Sequence, residues 1–197
     1  EADAVGADAA QTAQEAHHSA GRTILEYLPW IVVPIVVVVL LRMFVFTMYE
    51  IPSSSMENTL RIGDRVMVVK PTIAKPGRGD IITFKDPGGW LPLNEKKHSD
   101  ILIKRLIGMP GDTVECEGGG APIVVNGYPL DESAYLQEGM APSEIPFSVT
   151  VPEGHVFVLG DNRTNSQGSR FFGAVPVSSV TGRAVFIYWS LSNIGPL

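Results

Sequence analysis

Cysteine occurs once in the 197 residues, at Cys116. A single thiol excludes an internal disulfide framework and any multi-cysteine metal site. The four histidines, at positions 17, 18, 98 and 155, have no zinc-ligand spacing. Charge is also scarce. Asp, Glu, Lys and Arg make up 18% of the chain, below the usual ~25%. The net charge of −6 gives a polyanion nothing to bind, so nucleic acid is not an expected partner. Apolar residues, by contrast, reach 45%, which argues against wholesale disorder. The length allows one folded domain with appendages and excludes a large multidomain machine.

The apolar residues are concentrated. Residues 1–23 are rich in Ala and polar side chains and hold almost no large apolar group. They read as a flexible tail, or else as a frayed helix running into the next segment. Leu28 to Met48 then gives 21 residues with one charge, Arg42. As a helix this stretch spans ~31 Å, the thickness of a hydrocarbon core. Ile35–Leu41 has no polar face, so an amphipathic surface helix is excluded. A buried strand would be too long. A cleaved leader lacks its small-x-small site. One transmembrane helix is expected over 24–49, open to a kink at Pro29 and Pro34, with Arg42 snorkelling at its second end. The arginine balance, Arg22 against Arg42, Arg61 and Arg65, would by itself put the N-terminus outside.

Residues 50–197 follow a different pattern. Short β-type runs fall at 65–69, 80–84, 101–107, 123–125, 155–159 and 184–188. Gly, Pro and Asn breakers separate them. Asn126-Gly127 predicts a tight hairpin turn. No long segment of helical period is present. The expected fold is an all-β domain anchored by one N-terminal transmembrane helix. Two Pro/Gly/polar insertions, 86–99 and 129–150, read as loops or a flap.

Chemistry concentrates in two places. Ile51-Pro-Ser-Ser-Ser-Met56 begins just past the apolar stretch. Three serines alone suit a linker, but here apolar residues bracket them. A serine hydroxyl needs a base, and neither His98 nor His155 lies in a catalytic context. A neutral lysine can serve, once burial has lowered its pKa from ~10.4. Lys104 is the candidate. In a strand it shares a face with Leu102 and Leu106, while Ile101, Ile103, Arg105 and Ile107 take the other. Spacing alone leaves open whether Lys104 is this base or a strand-end surface charge.

At this point the motifs become recognisable. Arg42-x-Phe44, Tyr49-x-Ile51-Pro-Ser-x-Ser-Met56, Gly63-Asp-Arg-Val66 with Arg78-Gly-Asp-Ile81, Lys104-Arg-Leu-Ile-Gly-x-Pro-Gly-Asp112 and Gly160-Asp-Asn-Arg-x-x-Ser166-x-x-Ser-Arg170 follow one another in order. The chain resembles the bacterial type I signal peptidases, membrane-bound Ser/Lys proteases that remove signal peptides from exported preproteins. The resemblance covers nearly everything after the tail. It implies the family's coiled β-sheet fold, with Ser55 as nucleophile and Lys104 as general base. Ser53 would share the oxyanion hole with the Ser55 N–H, and Ser166 would bond and orient the lysine. Small substrate residues at the first and third positions before the cut would be read by Ile51, Pro52, Leu102 and Leu106. Asp161 can pair with Arg105 or with Arg170 as structural support. No cofactor or metal is implied.

The implied partners are preprotein signal peptides, the lipid bilayer and the nearby export translocon. The implied location is the bacterial cytoplasmic membrane, single-pass, with the N-terminus inside and the catalytic domain outside, against the arginine count. Two positions depart from the family pattern. Asn58 replaces a proline, and Gly168 replaces the aspartate of Asp-Ser-Arg. Gly168 is the support for an alternative, a catalytically impaired, membrane-anchored relative acting as a binding or scaffold module. A self-cleaving Ser/Lys repressor lacks its DNA-binding domain here. A peptidase dedicated to one substrate fits the same motifs.

Overall fold

A computed structural model describes residues 26–91 and 100–197. The expected tail, 1–23, and most of the 86–99 insertion lie outside the described residues. The chain divides into two compact units, up to Phe44 and from Val45 onward. In the first, helix α1 spans Glu26–Phe44 and is long and apolar enough to cross a membrane. Pro29 and Pro34 lie within it without ending it.

The helix stops short of the expected 49. Phe46–Glu50 forms strand β1 instead, paired antiparallel with β2, Arg65–Val69, from Phe46↔Val69 to Glu50↔Arg65. A continuous run of apolar residues hides this boundary. It is set by the ladder that β2 offers to Phe46–Glu50, a pairing that helical backbone could not make.

The second unit is built of strands. β3 (Ile81–Lys85), β4 (Ile101–Gly108), β9 (His155–Leu159), β10 (Val175–Pro176), β11 (Val180–Trp189) and β12 (Gly195–Pro196) join β1 and β2 in an eight-stranded sheet. Its order is β1-β2-β11-β3-β4-β9-β10, with β12 against β11. A smaller sheet holds β5 (Thr113–Cys116), β6 (Val124–Val125), β7 (Tyr128–Pro129) and β8 (Phe147–Thr150) in the order β7-β6-β5-β8. Asn126 and Gly127 take positive φ, 54° and 82°, between the paired Val125 and Tyr128. That is the conformation a two-residue hairpin turn demands.

Strand periodicity explains the core. β2 alternates, burying Val66 and Val68. β3 is buried on both faces from Ile81 to Phe84, because the sheet is covered on both. Ile81 joins a cluster with Ile51, Met56, Leu60 and Ile103. Ile82 and Phe84 join another with Leu106, Val158 and Trp90. A third cluster, around Ile107, Val114, Phe157 and Leu159, links the two sheets. Along β4, Leu102 and Leu106 share one cluster and Ile103 lies in a different one, as alternation requires. The 129–150 segment is no simple loop. Its last four residues are β8, and Glu132 and Ser143 are buried.

Candidate active site

Ser55 sits in a short 3₁₀ turn, Ser54–Met56, entered through extended Ser53. The turn is anchored by its apolar neighbours. Ile51, Met56 and Leu60 are essentially fully buried in one cluster, and Leu60 N–H donates to the Met56 carbonyl at 2.8 Å. The bracketing residues that made the serine run unlike a linker are thus the residues that pin it. The Ser55 N–H lies in the first turn of this helix, where an amide has no intrahelical acceptor.

Lys104 stands mid-sheet, with β4 between β3 and β9 and Lys104 opposite Ile82. It is 4% exposed. Its Nζ donates to Ser55 Oγ at 2.7 Å and to the Ile103 carbonyl at 3.1 Å. The surface-charge reading of Lys104 is therefore set aside. Burial lowers its pKa from 10.5 to about 8, with the Asp161 charge pulling the other way. An exposed lysine is neutral about once in a few thousand molecules at pH 7. This one has a substantial neutral fraction near pH 8.

Asp161 is fully buried. It pairs with Arg105, not Arg170, accepting from Nε at 2.9 Å and from Nη2 at 2.6 Å. It also accepts from Thr59 Oγ1 at 2.6 Å. The last motif is stitched to the Ser54–Met56 turn. Asn162 N–H donates to the Ser55 carbonyl at 3.2 Å, and Asn165 Nδ2 donates to Ser54 Oγ at 2.7 Å. Gly160 permits this approach, since a Cβ there would overlap both Ser166 Oγ and the Ser55 carbonyl oxygen.

The other expected site residues divide. Ser53 Oγ donates to Ser55 Oγ at 3.4 Å and lines the same cleft of about 640 Å³ as Ser55, Lys104, Leu102 and Ser166. Ser166 Oγ is buried there and has no hydrogen-bond partner among the described residues. The expected bond from Ser166 to Lys104 is not formed, because the amine is turned to Ser55 and the Ile103 carbonyl. Ile51 and Leu106, each 2% exposed, are core residues. Ile51 and Pro52 do border a second small depression with Leu102, whereas Leu106 packs under the sheet with Val158 and Phe84 and lines neither space. Arg170 donates to Ser143 Oγ and to the carbonyls of Arg163 and Ser166.

Several site residues have no counterpart in the sequence reading. Trp90, Ala141, Glu144, Ile145 and Phe171 also line the cleft. Arg163 and Glu132 form a buried ion pair, and Arg163 Nε donates to the Gly160 carbonyl at 2.9 Å. Arg163 stood inside a quoted motif without a role, and its acidic partner lies in the segment read as a loop. A second concavity of about 660 Å³, beside Cys116, Glu117 and Phe147, holds no nucleophile–base pair. The Cys116 thiol there donates to the Ala121 carbonyl at 3.2 Å.

Residues 24–189 match the family described as signal peptidase, peptidase S26. The chain belongs to that family. It is 40% identical over 160 residues to signal peptidase I of Leptolyngbya laminosa, covering 80% of this chain and 75% of that one. It is 33% identical to signal peptidase I of Mycobacterium tuberculosis, covering 99% of this chain and 82% of the relative. A crystal structure of a signal peptidase I from Enterococcus faecalis is 35% identical, with 55% of this chain and 96% of that chain covered and a TM-score of 0.42. Membership agrees with the family that the ordered motifs suggested, and it makes this chain a peptidase.

Proposed function

We propose that this peptidase removes signal peptides from exported preproteins with a Ser55–Lys104 dyad, while held in the membrane by α1. The observation that carries the reading is the 2.7 Å contact between the Lys104 amine and the Ser55 hydroxyl, made by a lysine that burial has brought to a pKa of about 8. In the charged state Lys104 donates to Ser55. In the neutral state the same separation lets the hydroxyl donate to the amine, which is the arrangement a general base needs.

The chemistry follows from the geometry. Neutral Lys104 takes the Ser55 proton as Oγ attacks the scissile carbonyl. The Ser55 N–H and the Ser53 hydroxyl stabilise the oxyanion. The Lys104 ammonium then protonates the leaving amine, which becomes the N-terminus of the mature protein. Water activated by Lys104 releases the signal peptide from Ser55. Ser166 Oγ, unpartnered in the same cleft, can accept from the ammonium once Ser55 is acylated. Leu102 offers an apolar wall for small side chains, with Ile51 and Pro52 beside it.

The 19 residues of α1 span about 28 Å as a helix, and their side chains are exposed from end to end. That suits a lipid-crossing anchor. We place the chain in the bacterial cytoplasmic membrane, N-terminus inside and catalytic unit outside, near the export translocon, where its preproteins emerge.

The test is cleavage of a small-x-small signal peptide by the full chain in detergent micelles. Ser55→Ala and Lys104→Ala should each lower kcat by at least about 10³-fold. Equal, poor cleavage by wild type and both variants would instead favour the scaffold reading that Gly168 suggested.

A further inference from the structure

One departure from the family pattern finds its partner in the fold. Asn58, three residues after the nucleophile, has φ of 93°. Proline, locked near −65°, could not take this backbone, whereas asparagine tolerates it. Asn58 Nδ2 donates to the carbonyl of Tyr135 at 2.9 Å, across 77 positions of sequence.

Tyr135 makes two further contacts. The Arg105 guanidinium lies 4.0 Å from the centre of its ring, within range for cation–π attraction. Its hydroxyl donates to Glu132 Oε1 at 3.0 Å. Glu132 pairs with Arg163, which in turn holds the Gly160 and Pro142 carbonyls. One residue of the 129–150 segment therefore touches the turn after Ser55, the residue after Lys104, and an ion pair that reaches the last motif.

We propose that Tyr135 is a positioning residue for the reaction, its ring holding Arg105 on Asp161 and its carbonyl holding the nucleophile turn through Asn58. This rests on the dyad reading. The consequence for Lys104 is electrostatic. Among the described residues, the charged groups near it are Asp161 with its partner Arg105, and Arg163, Glu144 and Arg170, which line the same cleft. Asp161 raises the proton affinity of Lys104, and Arg105 offsets that charge while it stays bidentate. An Arg105 freed from the ring offsets it less, so Lys104 becomes harder to deprotonate. Tyr135 itself does not titrate in the working range, because burial and the neighbouring Glu132 push its hydroxyl well above the usual value.

The experiment is the pH dependence of kcat for the full chain in micelles on a signal-peptide substrate, with Tyr135→Leu, Tyr135→Phe and Asn58→Gly. Tyr135→Leu should move the rising limb upward by about half a pH unit, a loss of about threefold in kcat below the limb. Tyr135→Phe keeps the ring and should return the limb to the wild-type position. Asn58→Gly keeps the positive φ, removes only the amide, and should lower kcat about threefold with KM unchanged. A limb in Tyr135→Leu that coincides with wild type overturns the proposal, since a merely structural loss scales the curve without moving it. If Tyr135→Leu does not fold, an unchanged kcat in Asn58→Gly overturns it. Failure of the dyad reads differently: no rising limb in wild type, or cleavage by Ser55→Ala.

Discussion

Two buried cations line the cleft, equally hidden and differently served. Lys104 and Arg163 are each 4% exposed. Arg163 has a carboxylate, Glu132, and two backbone carbonyls. Lys104 has a hydroxyl and one carbonyl. The paired charge ties the 129–150 segment to the last motif. In the proposed mechanism the charge without a carboxylate contact is the reactive one, because a lysine with its own carboxylate contact would keep its proton. Here the nearby carboxylate, Asp161, is committed to Arg105. Structure and chemistry thus ask opposite things of a buried cation, and the fold meets both within one cleft.

The comparison breaks most visibly at the paired site. Glu132→Ala leaves Arg163 buried without a counter-charge and should cost about 3–5 kcal/mol, read as a lower denaturant midpoint. The double variant Glu132→Ala/Arg163→Met should recover much of that loss.

At Lys104 the sign reverses. Its folded pKa is about 8 against 10.5 for the unfolded chain, so the unfolded state binds more protons between those values. Stability therefore rises with pH across that window, and the full cost of burying the ammonium is present below about 8. Lys104→Met should stabilise the protein at pH 7 by on the order of 3 kcal/mol while abolishing cleavage. The gain should fade as pH approaches 10.5. Melting curves at two pH values check both halves. A destabilised Lys104→Met at pH 7 would mean the lysine is better compensated than its contacts indicate.

What the sequence made legible follows the same division. Strong local patterns carried over: 65–69 is β2, 101–107 lies within β4, and Asn126-Gly127 is the hairpin turn. Alternation placed Lys104 on a face with two leucines, but it could not say what covers that face. The cover comes from Ser55, 49 positions earlier. Ordered motifs, not periodicity, named the pair. β5 and β8 are four residues each, too short to declare a period beside Gly and Pro. Glu132 and Tyr135 looked like loop residues because their partners, Arg163, Asn58 and Arg105, all lie at least 30 positions away. The family's serine-to-lysine bond misled at Ser166, where a motif fixes which residues gather but not the rotamer each adopts.

The smallest expected effect tests the position that first suggested an impaired enzyme. Gly168 precedes the short helix α2, Ser169–Phe172, with φ of −127°, so its backbone suits any residue. Space is the constraint. A Cβ would lie 2.7 Å from the Val158 carbonyl oxygen and 3.3 Å from the Leu159 Cα, so the backbone of β9 or of Gly168 itself must shift. Arg170, which a family aspartate would have paired, has settled on three neutral acceptors. Gly168→Ala should cost about 1–2 kcal/mol of stability. It should leave the rising limb of the pH profile in place, because neither Lys104 nor Asp161 touches the site of strain. Gly168→Asp adds the same crowding but sets a carboxylate near Arg170, so it should be no less stable than Gly168→Ala. An aspartate variant clearly less stable than the alanine one would show that Arg170 has no need of a counter-charge. The glycine would then be a packing choice made by β9 and not a missing piece of the catalytic apparatus.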